Sequence, residues 1–337
     1  MLESIWFLLW GLLWAIYFML DGYDLGLGSV MPFLAKNEKD RKIIYNSMGP
    51  FWDGNEVWLI TAGGVTFAAF PKAYAVMFSG LYTALMLLLI ALIIRGVSIE
   101  FRSLVESDWA RKFWDGAMVV GSFLPGLLLG VAFANIFMGI PIDAEGVFQG
   151  GLLTLLNPYG LAGGVLFVLL FAQHGCLWLA VRTTGDINER AGNLATVIWP
   201  ILVAVYVAFL VLTSIYTKLL SNFLMYPALL LFLLIPIFSI VKVRTLISDR
   251  KWWKAWACSA TLIVSTTLFG VIGLYPALLP SSINPAYSVT IYNGSSSQMT
   301  LKIMLTVALI MVPIIIAYQF WMHKVFATKI TDEDLGY

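Results

Sequence analysis

The sequence predicts an all-α, polytopic membrane protein of about nine transmembrane helices, and three observations carry that reading. Hydrophobic residues fill 60% of the 337 positions and charged residues 12%, with a mean hydropathy of +0.88. A soluble domain is about a quarter charged and less than half apolar. Apolar runs of ~20 residues, the length that crosses a ~30 Å hydrocarbon core, follow one another along the chain, and charge is largely confined to the stretches between them.

Hydropathy and breaker residues place helices at roughly 5–30, 50–70, 75–97, 114–138, 159–181, 192–216, 222–242, 255–279 and 300–323. The first run is longer than a signal-peptide core and has no basic region before it, so no cleavable signal is expected. Pro71 and Pro141 follow two of the proposed ends, where proline stops a helix at little cost. Ser98–Phe113 (SIEFRSLVESDWARKF) mixes aromatic, aliphatic and charged residues, as an interfacial helix would. The runs at 114–138 and 255–279 each pass through a Gly-Val segment into a charge-poor loop, 139–158 and 280–299. This suggests a single membrane domain, 1–337, of two four-helix bundles, 1–138 and 159–280, with a peripheral ninth helix at 300–325. Only Lys218–Asn222 joins the sixth run to the seventh.

Seventeen of the 20 Lys and Arg fall on one side of this layout, among them Lys36, Arg41, Arg102, Arg111, Arg244 and Lys251. The other side holds Lys72, Lys218 and Lys302. Positive charge stays in the cytoplasm, so the N-terminus is expected outside and the C-terminus inside. A net charge of +1 argues against a nucleic-acid partner. Cys176 and Cys258 lie in apolar segments without metal-ligand spacing and read as small buried hydrophobes.

Ionisable side chains at membrane depth cost several kcal/mol, roughly 2.5 or more each, and call for an explanation. Asp21 and Asp24, in MLDGYDLGLG, sit three apart on one helix face, and Gly22 with Gly26 forms a G-x-x-x-G close-packing motif. Asp53, Asn55 and Glu56, in GPFWDGNEVWL, open the second helix. Asp53 suits a helix N-terminus, while Glu56 lies a turn deeper. Arg95 either pairs with an intramembrane carboxylate or snorkels to the surface. Asp115 reads equally as a dipole partner at the start of its helix. Each residue has a structural reading as cap or brace. Together Asp21, Asp24, Asp53, Glu56 and Asp115 map to the cytoplasmic half of three helices, which is what a proton inlet from that side requires.

Histidine limits the chemistry. His174 and His323 are the two in the chain, and haem subunits use axial His, Met or Cys, commonly in pairs. His174, beside Gln173, reads as a buried hydrogen-bonding residue, and His323 as an interfacial anchor. No P-loop, dinucleotide fingerprint or hydrolytic nucleophile set is present.

The segments MLDGYDLGLG (19–28), NSMGPFWDGNEVWLITAGGVTFAAFP (46–71), RGVSIEFR (95–102), FWDGAMVVGSFLPGLLLGVAFANI (113–136), LNPYGLAGG (156–164), LYPALLPSS (274–282) and SSQMTLKIM (296–304) resemble, in this order, subunit II of cytochrome bd-type quinol oxidases. The resemblance implies a heterodimeric respiratory oxidase that oxidises membrane quinol, reduces O2 to water and takes protons from the cytoplasm without pumping. Two haems b, one haem d and the quinol-oxidation site would then belong to subunit I. This chain would bind no haem, and relatives can hold a structural quinone. Small accessory subunits and membrane lipids are further partners it implies. Asp24 and Asp53 match acidic positions linked to proton delivery and stability, and Asp115 a third. Glu56 and His174 stand where some relatives carry amides. Two alternatives stay in view: a proton-coupled transporter active on its own, and a purely structural scaffold, in which Asp53→Asn leaves quinol oxidation unchanged.

Overall fold

A computed structural model describes residues 1–326 and 328–331. The helices are α1 (Leu2–Leu34), α2 (Glu38–Met48), α3 (Trp52–Ala69), α4 (Pro71–Gly80), α5 (Tyr82–Phe101), α6 (Asp108–Met138), α7 (Leu152–Leu155), α8 (Pro158–Arg182), α9 (Gly185–Tyr216), α10 (Leu220–Met225), α11 (Leu231–Ser248), α12 (Trp252–Leu274) and α13 (Gln298–Phe326). Short 3-10 turns cover Arg102–Leu104, Pro227–Leu230 and Pro285–Tyr287, and two short strands, β1 (Ala277–Leu279) and β2 (Val289–Thr290), pair antiparallel. The all-α membrane fold therefore stands.

Local chemistry explains the boundaries. Asn37 starts α2 by accepting from the Asp40 amide, Ser107 starts α6 by accepting from Ala110, and Asn157 before Pro158 starts α8 by accepting from Gly160. Pro71 opens α4 at the first helical position, where its missing N–H costs nothing.

Several expected boundaries move. The connection expected between the runs at 5–30 and 50–70 contains α2, whose polar sequence hid it from a hydropathy reading. The run at 75–97 is broken at Leu81 into α4 and α5. No interfacial helix fills 98–113: α5 continues to Phe101, and α6 begins at Asp108, six residues before the expected start. The seventh helix begins late, after α10 and a 3-10 turn, and α12 stops at Leu274, because 277–279 pairs with β2.

Among the described residues, eight helices are long and apolar enough to cross a membrane: α1, α5 with its 3-10 turn, α6, α8, α9, α11 with its preceding turn, α12 and α13. The other expected run, the second at 50–70, is α3, an 18-residue helix whose polar start carries Asp53, Asn55 and Glu56 and keeps it out of that set. It runs antiparallel along α1, with Asn55 bonded to Asp24 and Thr66 to Trp10. Fourteen residues of α1 separate those contacts, a rise of ~21 Å.

The core lies where α1 packs on α3, α6, α8 and α12. α8 is the most enclosed helix, with 78% of its apolar window buried, and α13 the least, with 6%. Small residues bring α1 and α8 together. A Cβ on Gly26 would stand 1.7 Å from the Phe171 carbonyl oxygen, and one on Gly175 2.4 Å from the Leu27 amide. Such close backbone approach is how helices associate where the surrounding lipid is as apolar as their own faces. α13 runs parallel to α1, touching it at Trp6–Leu301 and Tyr23–His323. The charge-poor loops are tied together by the Ile140 amide on Pro280, Ser282 on Ile140, and the Ser281 hydroxyl on Ile142.

Candidate functional site

The close α1–α8 crossing leaves Asp21 and Asp24 toward α5 and α3. Asp21 is fully buried, and its Oδ1 accepts from Arg95 Nη1 at 2.7 Å. Arg95 is also fully buried, with Nη2 3.4 Å from Glu56 Oε2. It pairs rather than snorkels. Asp24, fully buried as well, accepts from Asn55 Nδ2 at 2.8 Å, and the same amide donates to the Tyr23 hydroxyl at 2.7 Å. Tyr23 faces His323 Nε2 at 3.4 Å, and His323 Nδ1 lies 2.9 Å from the Gln319 carbonyl. With Nδ1–H donating to that carbonyl, Nε2 is left to accept the Tyr23 O–H. His323 is thus half-buried in a polar network, and not a simple interfacial anchor.

Asp21 and Glu56 share one cation, Arg95, and Asp24 lies beside them with a neutral donor, Asn55. The cluster therefore holds more carboxyls than paired cations, an imbalance that is costly at membrane depth. Asp21 Oδ2, Asp24 Oδ1, Asn55 Oδ1 and Arg95 Nε are buried without a hydrogen-bond partner among the described residues, and such atoms are ordinarily satisfied by water or a further polar group. Glu56 joins this interior to the surface. Its side chain is 21% exposed and lines a groove of about 380 Å³ between α3 and α5, with Trp52, Gly96 and Glu100.

Asp115 belongs elsewhere. Because α6 begins at Asp108, Asp115 lies two turns inside it and does not serve the helix N-terminus. It accepts from Arg102 Nε at 2.6 Å and pairs with Arg41 Nε at 3.0 Å. Arg102 also grips Glu38 with two N–H groups at 2.8 and 2.9 Å, which holds the Glu38 carboxyl below the usual carboxylate range. Arg95 and Arg102 lie two turns apart on one face of the α5 region, ~10 Å along the axis. The five sequence candidates therefore form an inner cluster of Asp21, Asp24 and Glu56, and an outer one around Asp115. Asp53 joins neither: it is exposed in the first turn of α3.

Sequence reading missed Tyr23, Glu38, Arg41 and Arg102 as members of these clusters. Tyr23 sits inside the D-G-Y-D motif, but nothing local links it to a histidine 300 positions away.

His174 is fully buried, with Nε2 3.1 Å from the Met19 carbonyl, Nδ1 3.1 Å from Ser259 Oγ, and its ring stacked on Trp256. Both nitrogens are engaged, as expected of a buried hydrogen-bonding residue. Among the described residues, no three His, Cys, Asp or Glu side chains converge as a metal site would need. Cys176 and Cys258 are free thiols, Cys176 buried as expected and Cys258 only half-buried, lining a groove between α11 and α12. On the charge-poor half, an apolar groove of about 710 Å³ lies among α3, α4, α5 and α6, lined by residues such as Phe67, Phe78, Leu85 and Leu129. Its lining includes no Asp, Glu, Lys, Arg or His, and its phenols are those of Tyr74 and Tyr82.

Comparison with known proteins gives this arrangement a family. The chain is 35% identical over 335 residues to cytochrome bd ubiquinol oxidase subunit 2 of Bacillus subtilis (strain 168), covering 99% of this chain and 98% of the relative. It is 33% identical over 369 residues to cytochrome bd-I ubiquinol oxidase subunit 2 of Escherichia coli (strain K12), covering 99% and 96%. The fold is similar to that in the structure of bd oxidase from Geobacillus thermodenitrificans, with a TM-score of 0.77 and 19% identity, over 96% of this chain and 98% of that one. The family profile for cytochrome bd terminal oxidase subunit II matches residues 2–326, and the chain belongs to that family.

Proposed function

We propose that this chain is the haem-free subunit II of a quinol:O2 oxidoreductase in a bacterial cytoplasmic membrane, paired with a haem-bearing subunit I. Its inner carboxylates help bring protons from the cytoplasm to O2 reduction. The single observation that carries the proton role is the cluster in which Asp21 and Glu56 share Arg95 while buried Asp24 stands beside them on Asn55. A cluster short of positive charge stores protons, and Glu56 offers it a way out toward a neighbouring surface. Asp24 accepts only neutral donors, which suits it to exchange a proton, whereas Asp21 is held by Arg95 and braces the cluster. Asp115, with Arg41 and Arg102, forms the outer approach, and Asp53 guards the exposed start of α3.

The donor chemistry supports a haem-free chain, since both nitrogens of His174 and of His323 are engaged within the protein. Two haems b, one haem d and the quinol-oxidation site are assigned to subunit I. The apolar groove suits the isoprenoid tail of a structural quinone. The Lys/Arg-rich face is taken as cytoplasmic, which leaves the N-terminus outside. The low burial of α13 supports two four-helix halves with α13 at the edge.

The test is co-purification. Tagged protein is extracted gently, and its reduced-minus-oxidised spectrum is recorded beside its co-eluting chains. Haem b and d bands arriving with a second polytopic subunit are expected, and a colourless single protein would overturn the reading. In the assembled complex, Asp24→Asn is expected to keep the haem bands while lowering quinol oxidation by on the order of tenfold or more. Unchanged turnover would leave Asp24 a packing residue and favour the scaffold.

A further inference from the structure

Outside the inner cluster, the Lys/Arg-rich face carries a cavity of about 290 Å³ between α2, the end of α5 and the start of α6. Glu38, Lys42, Tyr45, Asn46, Arg102 and Arg111 line it. The charges divide unequally. Arg102 is spent on Glu38 and Asp115, and Arg41 on Asp115. Lys42 and Arg111 pair with no carboxylate among the described residues. Arg111 is steadied by its Nε on the Val105 carbonyl at 3.1 Å, which leaves its terminal nitrogens open. Four cations thus face two carboxylates, and the surplus sits on the two side chains free to take a ligand. Tyr45 is buried beneath Arg102, 5.2 Å from ring centroid to guanidinium, and its hydroxyl has no hydrogen-bond partner among the described residues.

The surroundings identify the ligand's other half. Leu104, Trp109 and Phe113 lie on the adjoining 3-10 turn and first turns of α6, at 73%, 76% and 54% exposure. Trp109 and Phe113 stack on one another, with ring centroids 5.9 Å apart. Exposed aromatics beside a cationic pocket at the ends of membrane helices mark headgroup depth. A free phosphate would use the cations and leave these apolar side chains idle, whereas a phospholipid uses both.

We propose that this cavity binds the phosphate headgroup of an anionic phospholipid, held by Lys42 and Arg111, with its acyl chains running over Leu104, Trp109 and Phe113. The proposal rests on the reading of this face as the cytoplasmic membrane boundary, and it does not depend on the haem content of the complex.

The test uses the complex, delipidated in detergent and supplied in turn with phosphatidylglycerol, phosphatidylcholine or inorganic phosphate, with lipid retained per complex read by native mass spectrometry. Phosphatidylglycerol is expected to be retained well above phosphatidylcholine. Lys42→Gln with Arg111→Gln is expected to lower that retention about thirty-fold, and Lys42→Gln alone, the variant to rely on should the pair fail to assemble, about five-fold. Lys42→Arg with Arg111→Lys keeps it, and Lys302→Gln on the opposite face leaves it unchanged. Equal retention of both lipids, or no loss in the Gln variants, would overturn the site. Displacement of phosphatidylglycerol by inorganic phosphate at matched concentration would overturn the lipid as ligand. Because retention is read on the assembled complex whatever its spectrum, a failure here is distinct from a failure of the oxidase reading.

Discussion

Arg95 shows how one residue can be legible in sequence and its role not. A guanidinium in an apolar run calls for a partner or an escape route, and both remained open until α1 brought Asp21 within 2.7 Å. Removing one member of a buried pair strands the other's charge, at a cost of about 3–5 kcal/mol. Arg95→Gln is therefore expected to lower the yield and thermal stability of the assembled complex. Asp21→Asn added to Arg95→Gln should recover more than half of the loss, because the carboxylate left beside residue 95 is then only the partly exposed Glu56. Equal damage in single and double variants, measured by thermal unfolding of the purified complex, would mean that Arg95 acts through its bulk. Asp24, Asn55 and Glu56 were equally legible, because a charge or amide in a hydrophobic run stands out. Tyr23 and His323 did not stand out, since tyrosine and histidine near helix ends are usually belt residues. Their pairing depends on α13 running parallel to α1.

At the scale of elements, spacing was informative wherever it repeated locally. Gly22 and Gly26 marked a close helix contact, and that contact is with Phe171, Ala172 and Gly175 of α8. Which helix filled the notch was not readable, because the motif specifies a small gap without specifying what enters it. Gly26→Ala puts a methyl within bonding distance of the Phe171 carbonyl, so the helices must part, at a cost of about 3 kcal/mol or more. Its expected outcome is loss of assembled protein in the membrane. Gly116→Ala in α6 meets nothing within 4 Å and should be silent, as quantified by the fluorescence-detected elution profile of each variant. A normal profile for Gly26→Ala would show that α1 and α8 are not packed this tightly. The misplaced boundaries share one cause. Hydropathy sees polarity along the chain, so it overlooked the polar α2 and ran through the break at Leu81, whose neighbours are apolar.

Across the whole molecule, the first and last helices of the sequence set the two termini apart. α1 and α13 run parallel, so Met1 and Phe326 lie at opposite ends. Contacts such as Arg102 with Glu38 and Arg190 with Asp40 gather the Lys/Arg-rich segments at one of those ends. Cysteines introduced as Ser282→Cys and Lys251→Cys test the assignment. In intact cells a membrane-impermeant maleimide should label the first and spare the second, and the reverse pattern would invert the topology. The sequence by itself determined the class of molecule, its Lys/Arg asymmetry, its family and the residues that do not belong in lipid. These follow from composition and from motifs short enough to be read in one stretch. The tertiary structure decided which carboxylates share a cation, that Asp53 stands apart from them, and that Asp115 serves an outer charge cluster. Those outcomes depend on which helices touch, and in lipid that choice is made by small-residue fit and polar pairing between segments far apart in the chain.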